Sequence, residues 1–234
     1  MRRIVLAVAA LAAVAVGQPA FAQESPRWGS FDFRVQSYRP NIDSQFGGTG
    51  PFSEIFGTGR SLQFRVDAAW TVFRRYGSLE LGLSTGYWSK SGQSLSLDPT
   101  TGKIVQSADT TSFSIIPTSP FVQYRFEALA ERYHVPLAPF VRLSFERYNW
   151  WTSGTNKPTH FGATNGWSVD AGLALLLDFF DSGLARELDR DTGINHTYAF
   201  VDVTHSKVDN FGSSKSWDLS GPTWALGGGL LFVF

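Results

Sequence analysis

Residues 61–72 read SLQFRVDAAWTV, a stretch in which apolar and polar side chains alternate. This period of two predicts a β-strand, because successive side chains of a strand point to opposite faces. One face would be apolar, and the other would carry an arginine and an aspartate. The fold therefore depends on which face meets water. The apolar set is Leu62, Phe64, Val66, Ala68, Trp70 and Val72, and the other set is Ser61, Gln63, Arg65, Asp67, Ala69 and Thr71.

The same alternation in seven further segments gives eight predicted strands. Most reach about ten residues, above the ~5–6 usual for soluble strands and close to the ~9–11 that a tilted strand needs to cross a bilayer. Within 111–127 the alternation changes phase after Phe113 and Ile115, so we expect a β-bulge near Pro117 and Pro120. The eight segments are 31–36, 61–72, 79–87, 111–127, 141–146, 167–177, 198–204 and 223–234.

The first 22 residues have the pattern of an export signal. Arg2 and Arg3 precede an apolar run over 4–16, and Ala20-Phe21-Ala22 forms a small-residue cleavage site. The apolar run is shorter than the ~20 residues that a spanning helix needs. We therefore expect cleavage after Ala22 and a single mature domain over residues 23–234.

Composition excludes several classes of function. The 20 basic and 20 acidic residues balance, so no basic surface for nucleic acid is expected. Cysteine is absent, which excludes disulfides, thiolate metal sites and a cysteine nucleophile. His134, His160, His196 and His205 lie in separate predicted elements, so we expect no metal site and no cofactor.

The connections between predicted strands alternate in length. Those on one side are long and polar, at 41–58, 90–110, 152–165 and 210–221, whereas those on the other side are 75–77, 128–136 and 181–193. The last contains SGLARELDR, which predicts a short helix docked at the inner mouth of a barrel. A ten-stranded barrel stays open as an alternative if 94–106 forms a long hairpin that enters the wall.

Eight alternating strands fit either a soluble barrel with an apolar interior or a membrane barrel with an apolar exterior. The glycine-rich polar face and two sets of aromatic residues near the strand ends favour the membrane barrel, whose rims carry aromatic girdles. We therefore predict an all-β fold, a closed antiparallel up-and-down transmembrane β-barrel with one short periplasmic helix. One aromatic set is Trp28, Phe73, Tyr76, Phe126, Tyr133, Phe140, Phe179 and Phe180, and the other is Tyr38, Tyr87, Trp88, Tyr148, Trp150, Trp151 and Trp167.

The segment TWALGGGLLFVF, residues 223–234, resembles the terminal strand of bacterial outer-membrane barrels. The mature chain as a whole resembles small eight-stranded barrels of the OmpA-barrel or OmpX type, including a group of uncharacterised myxobacterial outer-membrane barrels. This resemblance implies a location in the outer membrane. It also implies contact with membrane lipids and lipopolysaccharide, and assembly by periplasmic chaperones and the barrel-assembly machinery. The assembly signal would consist of Trp224, Leu230, Phe232 and Phe234.

Ten charged residues are predicted to point into the barrel. An eight-stranded barrel is just wide enough for side chains to fill, so we expect these charges to pair and plug the interior. A narrow path for ions or small solutes is the alternative. The ten residues are Asp32, Arg34, Arg65, Asp67, Glu80, Arg125, Glu127, Arg142, Glu146 and Asp170.

An acyl hydrolase of outer-membrane lipids is a further alternative, and its only local candidates are Asp202, His205 and Ser206. On one strand Asp202 and Ser206 share a face and His205 lies on the other, so they cannot form a catalytic triad. We therefore expect no enzymatic activity. A structural role, or binding of an unidentified ligand through the long loops, is the favoured function.

Overall fold

The computed structural model describes residues 25–47, 50–97, 100, 102–155 and 157–234. Its strands are β1 (Gly29–Tyr38), β2 (Ser61–Arg74), β3 (Ser78–Leu97), β4 (Ile104–Arg125), β5 (Leu137–Gly154), β6 (Lys157–Leu176), β7 (His196–Lys207) and β8 (Ala225–Val233). Each strand pairs antiparallel with the next, and β8 returns to pair with β1. The predicted closed eight-stranded up-and-down barrel is confirmed. The predicted signal segment 1–22 lies outside the described residues.

Two hairpins project far beyond the barrel at the end with the longer connections, here called the long-loop end. β3 and β4 have 20 and 22 residues, and β5 and β6 have 18 and 20. The long connections predicted at 90–110 and 152–165 are therefore mostly paired strand. The same pairing makes the ten-stranded alternative wrong, because 94–97 prolongs β3 and 104–106 prolongs β4, and the closed barrel has eight strands. These extensions mix polar residues with a few apolar ones, such as Ile104, Val105 and Phe161, on both faces, so their sequence lacks the alternation that marks the barrel strands.

The predicted bulge in β4 is absent. β4 keeps one register against β3 on both sides of Pro117 and Pro120. Phe113 and Ile115 point into the barrel on the same face as Arg125, and they are 1% and 0% exposed. What changes along β4 is the interior, which is charged in the middle of the barrel and aromatic near the long-loop end.

The connection between β1 and β2, called loop 1 (residues 39–60), folds into two short helices. A 3-10 helix spans Ile42–Phe46 and α1 spans Pro51–Phe56. The buried carboxylate of Asp43 accepts hydrogen bonds from the backbone N–H groups of Phe52 and Ser53, both at 3.0 Å. These are donors that the first turn of a helix leaves unpaired, so Asp43 fixes α1 against the rest of loop 1.

Loop 1 meets loop 4 (residues 208–224) across the mouth of the barrel. The Asn41 N–H donates to the Ser220 carbonyl at 3.0 Å, and the Tyr38 hydroxyl donates to the Leu219 carbonyl at 2.6 Å. Phe52 and Leu219 are buried beneath this contact. Residues of the two loops and of the strands beneath them form one buried apolar cluster, here called the lid. Its members are Tyr38, Ile42, Phe52, Trp88, Phe113, Ile115, Tyr148, Val208 and Leu219.

The opposite end, called the turn end, carries two helices. α2 spans Ala128–Tyr133, and α3 spans Ser182–Thr192 after a 3-10 turn at Leu177–Phe179. α3 is the predicted helix, whereas α2 was not predicted. The Asp181 side chain caps α3 by accepting from the Gly183 and Leu184 N–H groups at 3.0 and 2.9 Å.

The two predicted aromatic sets are only partly on the outside of the barrel. Trp28, Tyr133 and Phe180 are more than half exposed at the turn end. The predicted outer face is wrong for five members, because their strands carry them inward: Tyr38, Trp88 and Tyr148 lie in the lid, Trp150 packs against it, and Phe140 lies in a second buried cluster near the turn end.

The outer face of the barrel wall forms an apolar belt. Phe33, Phe64, Leu83, Leu143 and Val201 point outward from five different strands, and each is at least half exposed. A contiguous exposed surface of this kind is rare on a soluble monomer and marks an interaction with lipid or with another protein. No helix in the described part of the chain is long and apolar enough to cross a membrane.

Closure of the barrel depends on a close approach of β8 to its neighbours. A Cβ atom added at Gly229 would lie 1.8 Å from the carbonyl oxygen of Phe33 and 2.9 Å from the ring of Phe200. No side chain fits there without displacing the β1 backbone. Gly229 therefore permits the close approach of β8 to β1 at the seam.

Candidate functional site

All ten predicted interior residues are buried in the barrel, each with 7% or less of its surface exposed. They form three groups along the barrel axis, and one further carboxylate joins them. The groups are centred on Arg142 and Arg34 in the middle, on Arg65 towards the long-loop end, and on Arg125 towards the turn end.

In the central group, Arg142 of β5 reaches across the interior to β1 and β2. It contacts the carboxylate of Asp32 at 3.1 Å and also donates to that of Asp67. Its Nε donates to the Gln123 side-chain oxygen at 2.8 Å, and its guanidinium lies 4.1 Å from the ring centroid of Phe121. Arg142 is therefore held by two charges, an amide and an aromatic face.

Arg34 completes the central group from the opposite wall. Its Nη1 contacts Asp170 at 3.1 Å and Asp202 at 3.0 Å, and its Nη2 lies 3.7 Å from Asp67. Asp202 is the member of this group that the sequence analysis did not include. The signal was present, since Asp202 alternates with the outward-facing Val201 and shares the face of Tyr198.

Apart from the 3.7 Å contact between Arg34 and Asp67, the central ion pairs join strands that are not neighbours. In the β1–β2 register Asp32 lies opposite Asp67, and Arg34 lies opposite Arg65. Like charges directly opposite one another destabilise a strand pair. The compensating contacts come from β5, β6 and β7, so the charges pair across the interior and not along the wall.

The group towards the long-loop end is built on one bidentate pair. Arg65 donates to both oxygens of Glu146, at 3.3 and 3.1 Å. Its Nε also donates to Ser84 at 3.0 Å, and the Ser168 hydroxyl donates to Glu146 at 2.8 Å. Bidentate arginine–carboxylate pairs combine strength with a fixed geometry.

The group towards the turn end surrounds Arg125, which contacts Glu80 and Glu127, each at 2.9 Å. Glu127 lies past the end of β4 and also accepts from the Ser78 hydroxyl at 2.9 Å. Burial alone would raise the pKa of Glu127, but the charge and hydrogen bond of Arg125 outweigh that effect. The pKa of Glu127 is therefore lowered, and this carboxylate is charged at neutral pH.

The middle of the barrel is closely filled. A cavity between the central group and the rings of Phe140 and Phe200 has a volume of about 10 Å³, roughly the space of one water molecule. One oxygen each of Asp32, Asp67 and Asp202 has no hydrogen-bond partner there. The side chains of the central group and these two rings thus leave between them little more space than one water molecule needs.

The barrel is similar to solved outer-membrane barrels. One is neisserial surface protein A, with 9% identity, a TM-score of 0.45, and coverage of 88% of this chain and 96% of that one. A second is the N-terminal barrel domain of Pseudomonas aeruginosa OprF, with 14% identity, a TM-score of 0.43, and coverage of 88% and 99%. A third is Ail of Yersinia pestis, solved in complex with the heparin analogue sucrose octasulfate, with 10% identity, a TM-score of 0.39, and coverage of 88% and 97%.

No protein-family model matches the chain, and no curated protein is significantly similar to it in sequence. The structural similarities are too distant to carry information on ligand or activity. The assignment as a closed barrel rests on the hydrogen-bonded sheet itself. The myxobacterial resemblance stays a prediction.

The four residues predicted as an assembly signal lie on or beside the last strand. Trp224 and Leu230 are exposed on the outer face, whereas Phe232 and Phe234 are half-buried there. The Phe234 carbonyl accepts from the Gly29 N–H at 3.2 Å, and its ring lies 6.0 Å from that of Trp28. Phe234 is thus fixed at the turn end of the β1–β8 seam.

The candidate hydrolase residues do not come together. Asp202 and Ser206 are buried on the inner face of β7, while His205 lies on the outer face between the rings of Trp167 and Trp224, 5.6 Å from each. Within the described residues, no group of three or more histidine or acidic side chains is arranged to hold a metal ion.

Proposed function

We propose that this protein is an integral β-barrel of the bacterial outer membrane with a plugged interior, and that it acts through its surface-exposed long-loop end. The observation that carries the proposal is the reversal of the usual burial pattern. Aliphatic and aromatic side chains cover the outside of the wall, and arginines and carboxylates fill the inside. Only a hydrocarbon surrounding makes this arrangement favourable along the whole wall.

The hydrogen bonds of the backbone also fit a lipid environment. In a bilayer every N–H and C=O group of a spanning segment needs an internal partner, and a closed barrel leaves no strand edge unpaired. All eight strands have both neighbours. Membrane lipids would contact the apolar belt, and lipopolysaccharide would contact the belt near the long-loop end.

The plugged interior argues for a structural or binding role and against transport. The central group fills the midpoint, and the lid covers the interior at the long-loop end. Eight-stranded barrels are just wide enough for side chains to fill them, whereas aqueous channels belong to barrels of about 16 strands or more. Nothing in the described geometry favours an enzymatic role.

Export would follow the route that the sequence predicts, with cleavage after Ala22 and insertion by periplasmic chaperones and the barrel-assembly machinery. The mass of the protein recovered from isolated outer membranes tests the cleavage. A mass equal to that of residues 23–234 supports it, and a mass that retains the first 22 residues contradicts it.

Insertion and conductance test the proposed function. We expect the mature chain to float with lipid vesicles after refolding and to stay there after a wash at high salt. In planar bilayers it should give no ion current, both as the full chain and after residues 42–56 of loop 1 are replaced by a short glycine–serine linker, because the central group still blocks the interior. A chain that remains monodisperse in buffer without detergent contradicts the membrane location, and a steady current from the full chain contradicts the plug.

A further inference from the structure

A cleft opens at the long-loop end between the extended part of β6 and loop 4. Its volume of about 600 Å³ falls within the roughly 300–1,000 Å³ usual for ligand pockets. Trp150, Thr164, Lys215 and Trp217 are among the residues that line it. Because the cleft lies on the surface of the long-loop end, a ligand could reach it without entering the barrel.

Two stacked indole rings form one wall of the cleft. The rings of Trp150 and Trp217 lie 4.3 Å apart with an interplanar angle of 17°. A Cβ atom at Gly162 would lie 2.4 Å from the Trp150 ring, so the absent side chain lets this ring lie flat against β6. Trp217 retains 36% exposure although it is large and apolar. The pair presents a fixed aromatic surface to the cleft.

Two polar atoms of the lining are buried and have no hydrogen-bond partner. Thr164 is 1% exposed and its hydroxyl is unpaired, as is the indole N–H of Trp150. An unmade hydrogen bond at a buried group costs about 1–3 kcal/mol. A ligand rich in hydroxyl groups would supply both an acceptor and a donor here.

The charge of the cleft is positive. Lys215 is exposed and makes no ion pair within the described residues, and the lining contains no aspartate or glutamate. An anionic group on a ligand would therefore meet one cation and no opposing carboxylate.

We propose that this cleft binds an acidic saccharide. A sugar ring would pack on the indole surface of Trp217, its hydroxyls would meet the unpaired groups of Thr164 and Trp150, and its carboxylate would meet Lys215. A nucleic acid also has rings and negative charge, but the balanced net charge of the chain does not favour one. The inference rests on the proposed function, which places the cleft on the cell exterior.

The test measures binding of trigalacturonic acid and of neutral maltotriose to the mature chain, by saturation-transfer NMR and calorimetry in detergent micelles. We expect the acidic trisaccharide to bind more tightly than the neutral one. Trp217→Ala should weaken binding about tenfold or more. Lys215→Gln should remove the preference for the acidic sugar, and Thr164→Val should weaken both sugars. Lys207→Gln, which changes an exposed lysine outside the cleft, should have no effect.

Equal binding of the two sugars, no binding by the wild-type chain, or wild-type affinity in Trp217→Ala each overturns the proposal. Lys215→Gln keeps the test decisive if Trp217→Ala disturbs the lid, because Lys215 is exposed. Flotation with vesicles is measured on the same preparations. A chain that fails to insert counts against the proposed function, whereas a chain that inserts but does not bind the acidic sugar counts only against the saccharide site.

Discussion

Replacing Arg142 with methionine removes the cation on which the central group depends. The arginine contacts Asp32 at 3.1 Å and donates to Asp67. Methionine is unbranched like the arginine stem and ends about where the arginine Nε lies, so it can keep the packing of the stem but not the approach of the guanidinium to the Phe121 ring, which is 4.1 Å. The substitution therefore removes the charge and the cation–ring contact while keeping the apolar stem.

The expected loss of stability comes from the carboxylates of Asp32 and Asp67, which stay buried without the Arg142 cation. Asp32 and Asp67 lie opposite one another in the β1–β2 register, and the nearest remaining cation is Arg34, 3.7 Å from Asp67. Arg34 already contacts two other aspartates. Removing one partner of a buried ion pair costs about 3–5 kcal/mol, because the other charge stays buried without compensation. We expect Arg142→Met to lower the free energy of unfolding by that amount.

The assay is urea unfolding and refolding in lipid vesicles, followed by tryptophan fluorescence. Arg147→Met is the matched control: it makes the same substitution on the same strand at an exposed position and should change stability by no more than about 0.5 kcal/mol. Adding Asp67→Asn to Arg142→Met should restore part of the loss, because one of the two facing carboxylates is then neutral. A loss below about 1 kcal/mol in Arg142→Met, or a double variant no more stable than the single one, would refute the reasoning.

Three further predictions concern the belt, the turn end and the lid. Leu83→Arg in the apolar belt should cost about 2–4 kcal/mol in vesicles, whereas Phe161→Arg beyond the belt should cost close to nothing; equal costs would contradict the lipid-facing assignment. The pKa of Glu127 is lower in the folded state than in the unfolded state. The stability that its charged form adds is therefore present above the unfolded pKa, near 4.5, and is lost as pH falls through the folded pKa. Glu127→Gln should thus be less stable than wild type at pH 7, and the difference should shrink below pH 4.5; a difference in urea unfolding that is independent of pH would exclude this role. Asp43→Ala should cost about 0.5–2 kcal/mol through the lost cap of α1 and should speed amide exchange in loop 1 but not in the barrel, so unchanged exchange in α1 would contradict the capping role.

The sequence was sufficient for the wall of the barrel because a single rule governs each strand. Alternation assigned the lipid-facing Phe64 and Trp70 and the inward Arg65 and Asp67 to opposite faces of β2, and the structure has them so. The rule works wherever the two sides of the wall differ sharply in polarity. The errors lie where that contrast ends, because residues there were placed by their aromatic character and not by alternation.

The aromatic residues near the long-loop end show why. Tyr38, Trp88 and Tyr148 fit the pattern of girdle residues because they are aromatic and close to strand ends. Each has the same parity as the inward charges of its own strand, so strict alternation would have placed it inside. Alternation does not explain why aromatic side chains are stable at these inward positions. They are stable because loops 1 and 4 fold over the interior and provide the apolar partners Phe52 and Leu219. Contacts between residues so distant in sequence leave no local pattern.

The register of β1 against β2 shows what the interior charges contribute to specificity. A slip of two residues would keep every side chain on its own face and would bring Arg34 opposite Asp67, a better local pairing than the native one. In the native register Arg34 lies 3.7 Å from Asp67 and makes closer contacts with Asp170 and Asp202 on β6 and β7. Those partners are in place only when the barrel is closed. The buried charges therefore favour the complete barrel over an isolated β1–β2 hairpin. This is a gain in specificity for one fold, and it is separate from the small net stability that buried ion pairs add.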